Sequence, residues 1–164
     1  MALPTHPDLS TVTDWVATAT LAPSSHNTQP WQFRYADGAL HLFADRRRRL
    51  PVNDPEDREL AISCGCALLN LRLAAAEAGW RAVPAAAPEG ESADWLAGLA
   101  FEAHPPPSPS EVELAAAIPE RRTHRKPFAE DAVPGPVLQE LGEAANAEGA
   151  WLRVISAEAQ RQAL

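Results

Sequence analysis

The chain has 164 residues, 46% of them apolar, which is enough for about one domain with a buried core. Fourteen basic against 22 acidic side chains leave a net charge of −8, arguing against nucleic acid or an anionic membrane as partner. No apolar run approaches a membrane span, Met1–Pro7 lacks the pattern of a secretory signal, and two cysteines, Cys64 and Cys66, make no disulfide framework. These features predict a cytoplasmic globular protein.

In chain order, Ser10 or Thr11 reads as the N-cap of a first helix carrying Val12, Trp15, Val16 and Ala19 on one face, with Pro23 ending it. A polar loop, Pro23 to Pro30, leads into the alternating run Trp31–Tyr35. Asp37-Gly38 is a two-residue hairpin turn, and Leu40–Phe43 is the returning strand. The basic run Arg46–Arg49 reads as a solvated loop. Asp54-Pro55-Glu56 resembles an N-cap, N1 proline and acidic first turn of a second helix that stops at Gly79. Its apolar stripe is Leu60, Cys64, Ala67, Leu68, Leu71, Ala75 and Ala78. Small residues at Ser63–Ala67 would let another helix approach closely.

Trp80–Val83 and Leu96–Ala103 read as two more strands. The stretch Pro105-Pro106-Pro107-Ser108-Pro109 is a stiff linker, and Ser110 with Glu113 forms a capping box for a helix reaching Ile118-Pro119. A further helix carries Val137, Leu138, Leu141 and Ala145, with Gly149 beyond it. Trp151–Ile155 reads as a strand, and Ser156 as the cap of a last helix. That helix meets Leu164 with no terminating signal, which points to a segment of a longer protein.

The usual catalytic constellations are missing. The five histidines show no metal-ligand spacing, Cys64-Gly65-Cys66 has no second pair, and no nucleophile elbow, Walker loop or dinucleotide fingerprint occurs. The sequence therefore offers no catalytic side chain and no metal site, so a cofactor would carry any hard chemistry. Two segments stand out. Ala22–Trp31 offers hydroxyls, an amide and backbone N–H groups between two prolines. It is either an edge for a planar heteroaromatic ligand or an ordinary polar connection. Arg121–Phe128 packs four cations and a hydroxyl into six residues, and is either an anion site or a solvated basic turn.

The string A-P-S-S-H-N-T-Q-P-W-Q-F resembles the flavin-facing loop of the nitroreductase family. R-R-T-H-R-K-P-F resembles that family's phosphate-holding arginine motif, and Ile62–Leu71 its small-residue central helix. The order of the motifs is similar to the Acg-type branch, in which two nitroreductase-like halves are fused in one chain. The resemblance implies an α+β fold with an antiparallel-rich sheet flanked by helices. It divides the chain into a first half (1–104), a Pro-rich linker (105–110) and an incomplete second half (111–164).

The resemblance further implies FMN as cofactor, NAD(P)H as electron donor and a nitroaromatic or quinone-like small-molecule acceptor. Storage of FMN without turnover and an inactive truncated pseudoenzyme are the alternatives. Arg121, Arg122, Thr123 and Arg125 would hold the phosphate, while Pro23, Ser24, Ser25, His26 and Asn27 would line the isoalloxazine. Gln29-Pro30-Trp31 would set the turn beneath it. Each half has kept the motif that the other lacks, so the chain would build at most one composite site. It would then self-associate or pair with the missing part of the second half.

Overall fold

The computed structural model describes residues 6–90, 92–103 and 105–155. It divides into two compact units, Met1–Thr123 and His124–Leu164. The first unit contains α1 (Leu9–Ala19), β1 (Trp31–Ala36), β2 (Ala39–Ala44), α2 (Arg58–Glu77), β3 (Trp80–Ala85), β4 (Trp95–Ala103) and α3 (Pro109–Glu120). Single 3-10 turns lie at Ser25–Asn27 and Arg46–Arg48.

The sheet is antiparallel throughout, in the order β1-β2-β4-β3, with a bulge between Leu42 and Phe43. The Asp37-Gly38 turn sets its first register, Trp31 opposite Ala44 and Ala36 opposite Ala39. Both turn residues have positive φ (52° and 75°), as the tight hairpin turn matching strand twist requires. A Cβ on Gly38 would also lie 2.8 Å from the His6 ring, so the position excludes side chains twice over. The inward face, with Leu40, Leu42, Leu99 and Phe101, packs against Val12 and Trp15 of α1 and Leu60, Cys64 and Leu71 of α2. This is the α+β architecture that the sequence predicted.

Three helix starts differ from the sequence reading, two of them because a different side chain reaches the open N–H groups. Asp8, not Ser10 or Thr11, caps α1, its carboxylate accepting from the Thr11 N–H at 2.8 Å. Ser108 and Glu111, not Ser110 and Glu113, form the capping box of α3, so the helix begins at Pro109 inside the segment read as linker. Proline at the first helical position lacks an N–H that would be unpaired anyway. In α2 the first helical residue is Arg58, not Pro55, and the N-cap position is Asp57 in the left-handed region (φ 56°). Asp54 still serves the helix start, since its buried carboxylate accepts from the Leu60 N–H at 2.9 Å. Burial opposes that charge, but N–H groups of Leu60, Glu59 and Arg58 outweigh it and hold the carboxyl below its usual range.

Helix α2 is the centre of the unit. An 18-residue window of it has a mean hydropathy of 1.4, so by length and composition alone the helix passes for a membrane span, although Asn70 and Arg72 interrupt its apolar run. Half of that window is buried inside this fold, by α1, the sheet and α3. Leu60, Cys64, Ala67, Leu71 and Ala75 of the predicted stripe are buried; Leu68 is half-buried and Ala78 is exposed. α3 does not dock on the small-residue stretch Ser63–Ala67 but further along α2, where Leu69 and Leu73 meet Ala115 and Ile118. Gly79 (φ 82°) ends the helix as predicted.

In the second unit, α4 (Gly135–Ala147) is followed by Gly149 (φ 73°), which turns the chain. Trp151–Ile155 is not a strand. Its alternation permits an extended chain, but a strand exists only where another strand supplies the ladder. The helix predicted from Ser156 lies outside the described residues, as does His104.

Candidate functional site

The loop after α1 is shaped by backbone that side-chain-bearing residues rarely adopt. His26 (φ 51°), Asn27 (φ 57°) and Gln29 (φ 48°) all lie in the left-handed region within four positions. Such a concentration persists only where the surroundings hold it. Ser24 holds it from within, its Oγ accepting from the Gln29 N–H at 2.9 Å and its carbonyl from the Asn27 N–H at 2.9 Å. Thr28 Oγ1 donates to the Ser25 carbonyl at 3.0 Å. From outside, Arg48 donates to the Thr28 carbonyl at 3.1 Å, and the Pro30 carbonyl accepts from the Asp45 N–H at 2.8 Å. Pro30 and Trp31, at the end of the loop, are buried.

Ser25 joins this loop to the start of α2. Its N–H donates to Ser63 Oγ at 3.3 Å, and its hydroxyl donates to Glu59 Oε2 at 2.6 Å. Ser63 Oγ in turn donates to the Glu59 carbonyl at 2.7 Å. Ser24 and Ser25 are half-buried, whereas Pro23, His26 and Asn27 are exposed. His26 Nε2 lies 3.5 Å from Asn53 Nδ2. Sequence reasoning missed Glu59 and Ser63. Their signal was four-residue spacing, which puts two polar groups on one face of an otherwise apolar helix.

Of the basic motif, the structure brings Arg121 and Thr123 to the beginning of the loop. Arg121 follows the last turn of α3; it donates to the Leu21 carbonyl at 3.2 Å and to Thr123 Oγ1 at 3.3 Å. Leu21 stands two residues before Pro23. Arg122 turns back, donating to the carbonyls of Pro119 (2.5 Å) and Arg121 (2.9 Å). Arg125 is exposed and belongs to the second unit, where His124 stacks on Phe128 at 4.7 Å between ring centres.

The other basic run is solvent-exposed, as the sequence reading has it, but it is also paired. Arg46 bridges Asp57 and Asp94, while Arg47 and Arg48 both pair with Asp45, whose side chain is 6% exposed. Acids two to 48 residues away in sequence turn the run into a clamp that ties this turn to the starts of β4 and α2. By contrast, Arg121, Arg122 and Arg125 have no ion pair among the described residues.

No family model matches the chain. It is 39% identical over 157 residues to "Putative NAD(P)H nitroreductase Rv3131" of Mycobacterium tuberculosis, covering 95% of this chain and 45% of that protein. It is 36% identical over 128 residues to "Putative NAD(P)H nitroreductase acg" of the same organism, covering 76% and 39%. The structure of a nitroreductase-like family protein from Bacillus cereus superposes with a TM-score of 0.50 over 93% of this chain and 87% of that one, at 10% identity. The chain is a nitroreductase homologue with the nitroreductase fold. It spans about half the length of the curated relatives it matches, 45% in the first case. The resemblance to the nitroreductase family is therefore upheld at the level of homology and fold.

Proposed function

We propose that the protein is an FMN-binding oxidoreductase of the nitroreductase type, passing two electrons from NAD(P)H to a nitroaromatic or quinone-like acceptor. The observation that carries this reading is the 39% identity, across 95% of the chain, to a relative named as an NAD(P)H nitroreductase. The chemistry of the donor set agrees with it. Arg121 and Arg122 carry permanent charge and have no carboxylate partner among the described residues, and Thr123 stands beside Arg121. A phosphate would supply the missing anion, bound through charge-assisted hydrogen bonds.

Bound FMN would supply the redox chemistry itself. The chain's own residues would bind and orient. Arg121, Arg122 and Thr123 would hold the phosphate, and Pro23, Ser24, Ser25, His26 and Asn27 would line the ring. The loop suits that task because its conformation is set in advance by Ser24, Thr28 and Arg48, so little ordering remains to oppose binding.

The test begins with equilibrium dialysis of the purified protein against FMN, read by visible absorbance. NADPH oxidation with nitrofurazone or menadione follows. Stoichiometric FMN with turnover supports the reading. FMN bound without turnover replaces it by flavin storage, and no bound FMN overturns both.

A further inference from the structure

The two serines of the loop are set to opposite hydrogen-bonding roles. A hydroxyl has one proton to give and two lone pairs. Ser25 gives its proton to Glu59 Oε2 at 2.6 Å, which leaves it only as an acceptor. Ser24 accepts from the Gln29 N–H at 2.9 Å, which leaves its proton to donate. Neighbouring residues thus present an acceptor and a donor. That pair is complementary to a cyclic imide edge, where an N–H stands between two carbonyls. The oxidised isoalloxazine ring has one N–H, at N3, in such an edge. Ser63 ties Ser25 to the same turn of α2, accepting from the Ser25 N–H and donating to the Glu59 backbone carbonyl.

We propose that Glu59 is a positioning residue that fixes Ser25 as a hydrogen-bond acceptor, so that the loop selects ligands with an imide N–H. This rests on the FMN reading above. Glu59 touches no reacting atom in this scheme; it acts through Ser25.

The test compares dissociation constants for FMN and N3-methyl-FMN by fluorescence quenching, with wild type, Glu59→Ala, Ser25→Ala and the double variant. A neutral hydrogen bond corresponds to about 2- to 12-fold in affinity. Wild type should prefer FMN, and the preference should fall by about that factor in Glu59→Ala. It should fall equally in Ser25→Ala, with no further fall in the double variant. Glu59→Gln, whose amide oxygen still accepts, should keep the preference, a readout that general loosening of the loop would not reproduce. Persistence of the wild-type preference in Glu59→Ala, or its loss in Glu59→Gln, overturns the assignment while leaving FMN binding intact. Failure of wild type to bind FMN overturns the flavin reading, and the assignment with it.

Discussion

At Asp45 one nearly enclosed carboxylate faces Arg47 at 2.8 Å and Arg48 at 3.3 Å. The hydrogen bond from Arg47 outweighs burial and holds the Asp45 carboxyl far below its ordinary value of 3.8. A group with a depressed folded pKa adds stability above its unfolded value, and that stability is lost as pH falls through the folded one. Urea midpoints should therefore drop as the pH is lowered below about 4. Asp45→Asn should flatten that drop and cost about 1–3 kcal/mol at neutral pH. Cys64 has the opposite sign. Burial pushes its thiol up to about 11, and Cys66 is raised for the same reason, against the favourable charge of Arg121. For Cys64 that contribution to stability is complete below the ordinary thiol value of 9.0 and is lost as pH rises towards 11; Cys66 contributes with the same sign. In the folded protein a thiol reagent should label Cys64 far more slowly than it does in urea, and equal rates would contradict the burial. Arg122→Ala tests the proposed phosphate contact. It should weaken FMN binding by about 10- to 150-fold at low salt, less at high salt, and leave riboflavin nearly unaffected.

Two glycines separate close packing from open surface at the scale of the element. A Cβ on Gly98 in β4 would lie 2.9 Å from the Ala85 carbonyl and 3.2 Å from His41 Nδ1. Backbone cannot yield as a flexible side chain does, so Gly98→Ala should destabilise by about 1–3 kcal/mol in thermal melts. Gly65 sits within α2 and would meet nothing within 4 Å. Gly65→Ala should stabilise by about 0.5–1 kcal/mol, because glycine inside a helix loses more backbone freedom than alanine. Destabilisation there would mean that another surface covers this turn of α2. The Ser63–Ala67 stretch does not receive α3, which docks two turns later through Ala115 and Ile118. Small size permits close approach but does not choose the approaching partner.

For the whole molecule, the described residues of the second unit leave several large apolar side chains exposed. Trp151 is 76% exposed, and Val137, Leu141, Leu152 and Val154 are all exposed. α4 has no buried residue although its apolar positions share one face. Exposed apolar patches beyond several hundred Å² drive association. The chain should therefore self-associate with rising concentration in light scattering, and Trp151→Ser should shift that onset upwards. A concentration-independent monomer would show that the patch is too small or too dispersed to matter.

What the sequence determined by itself was local. The Asp37-Gly38 turn, the apolar stripes of α1 and α2, the stop at Gly79 and the motif around Ser24–Trp31 rest on neighbours in the chain, and each was legible. Its resemblance to nitroreductases rested on three short segments and was sufficient for fold and homology. What only the tertiary structure decided was which groups meet. Asp45, Asp57 and Asp94 converted the arginine run into a clamp, and Asp8 and Ser108 took over the helix starts read at Ser10 or Thr11 and at Ser110. Glu59 reached Ser25 across 34 residues. Trp151–Ile155 stayed unpaired because a strand needs a partner that alternation cannot supply. Backbone turns and periodicity are encoded within a few residues; ion pairs, hydroxyl orientation and sheet pairing depend on contacts that folding alone brings together.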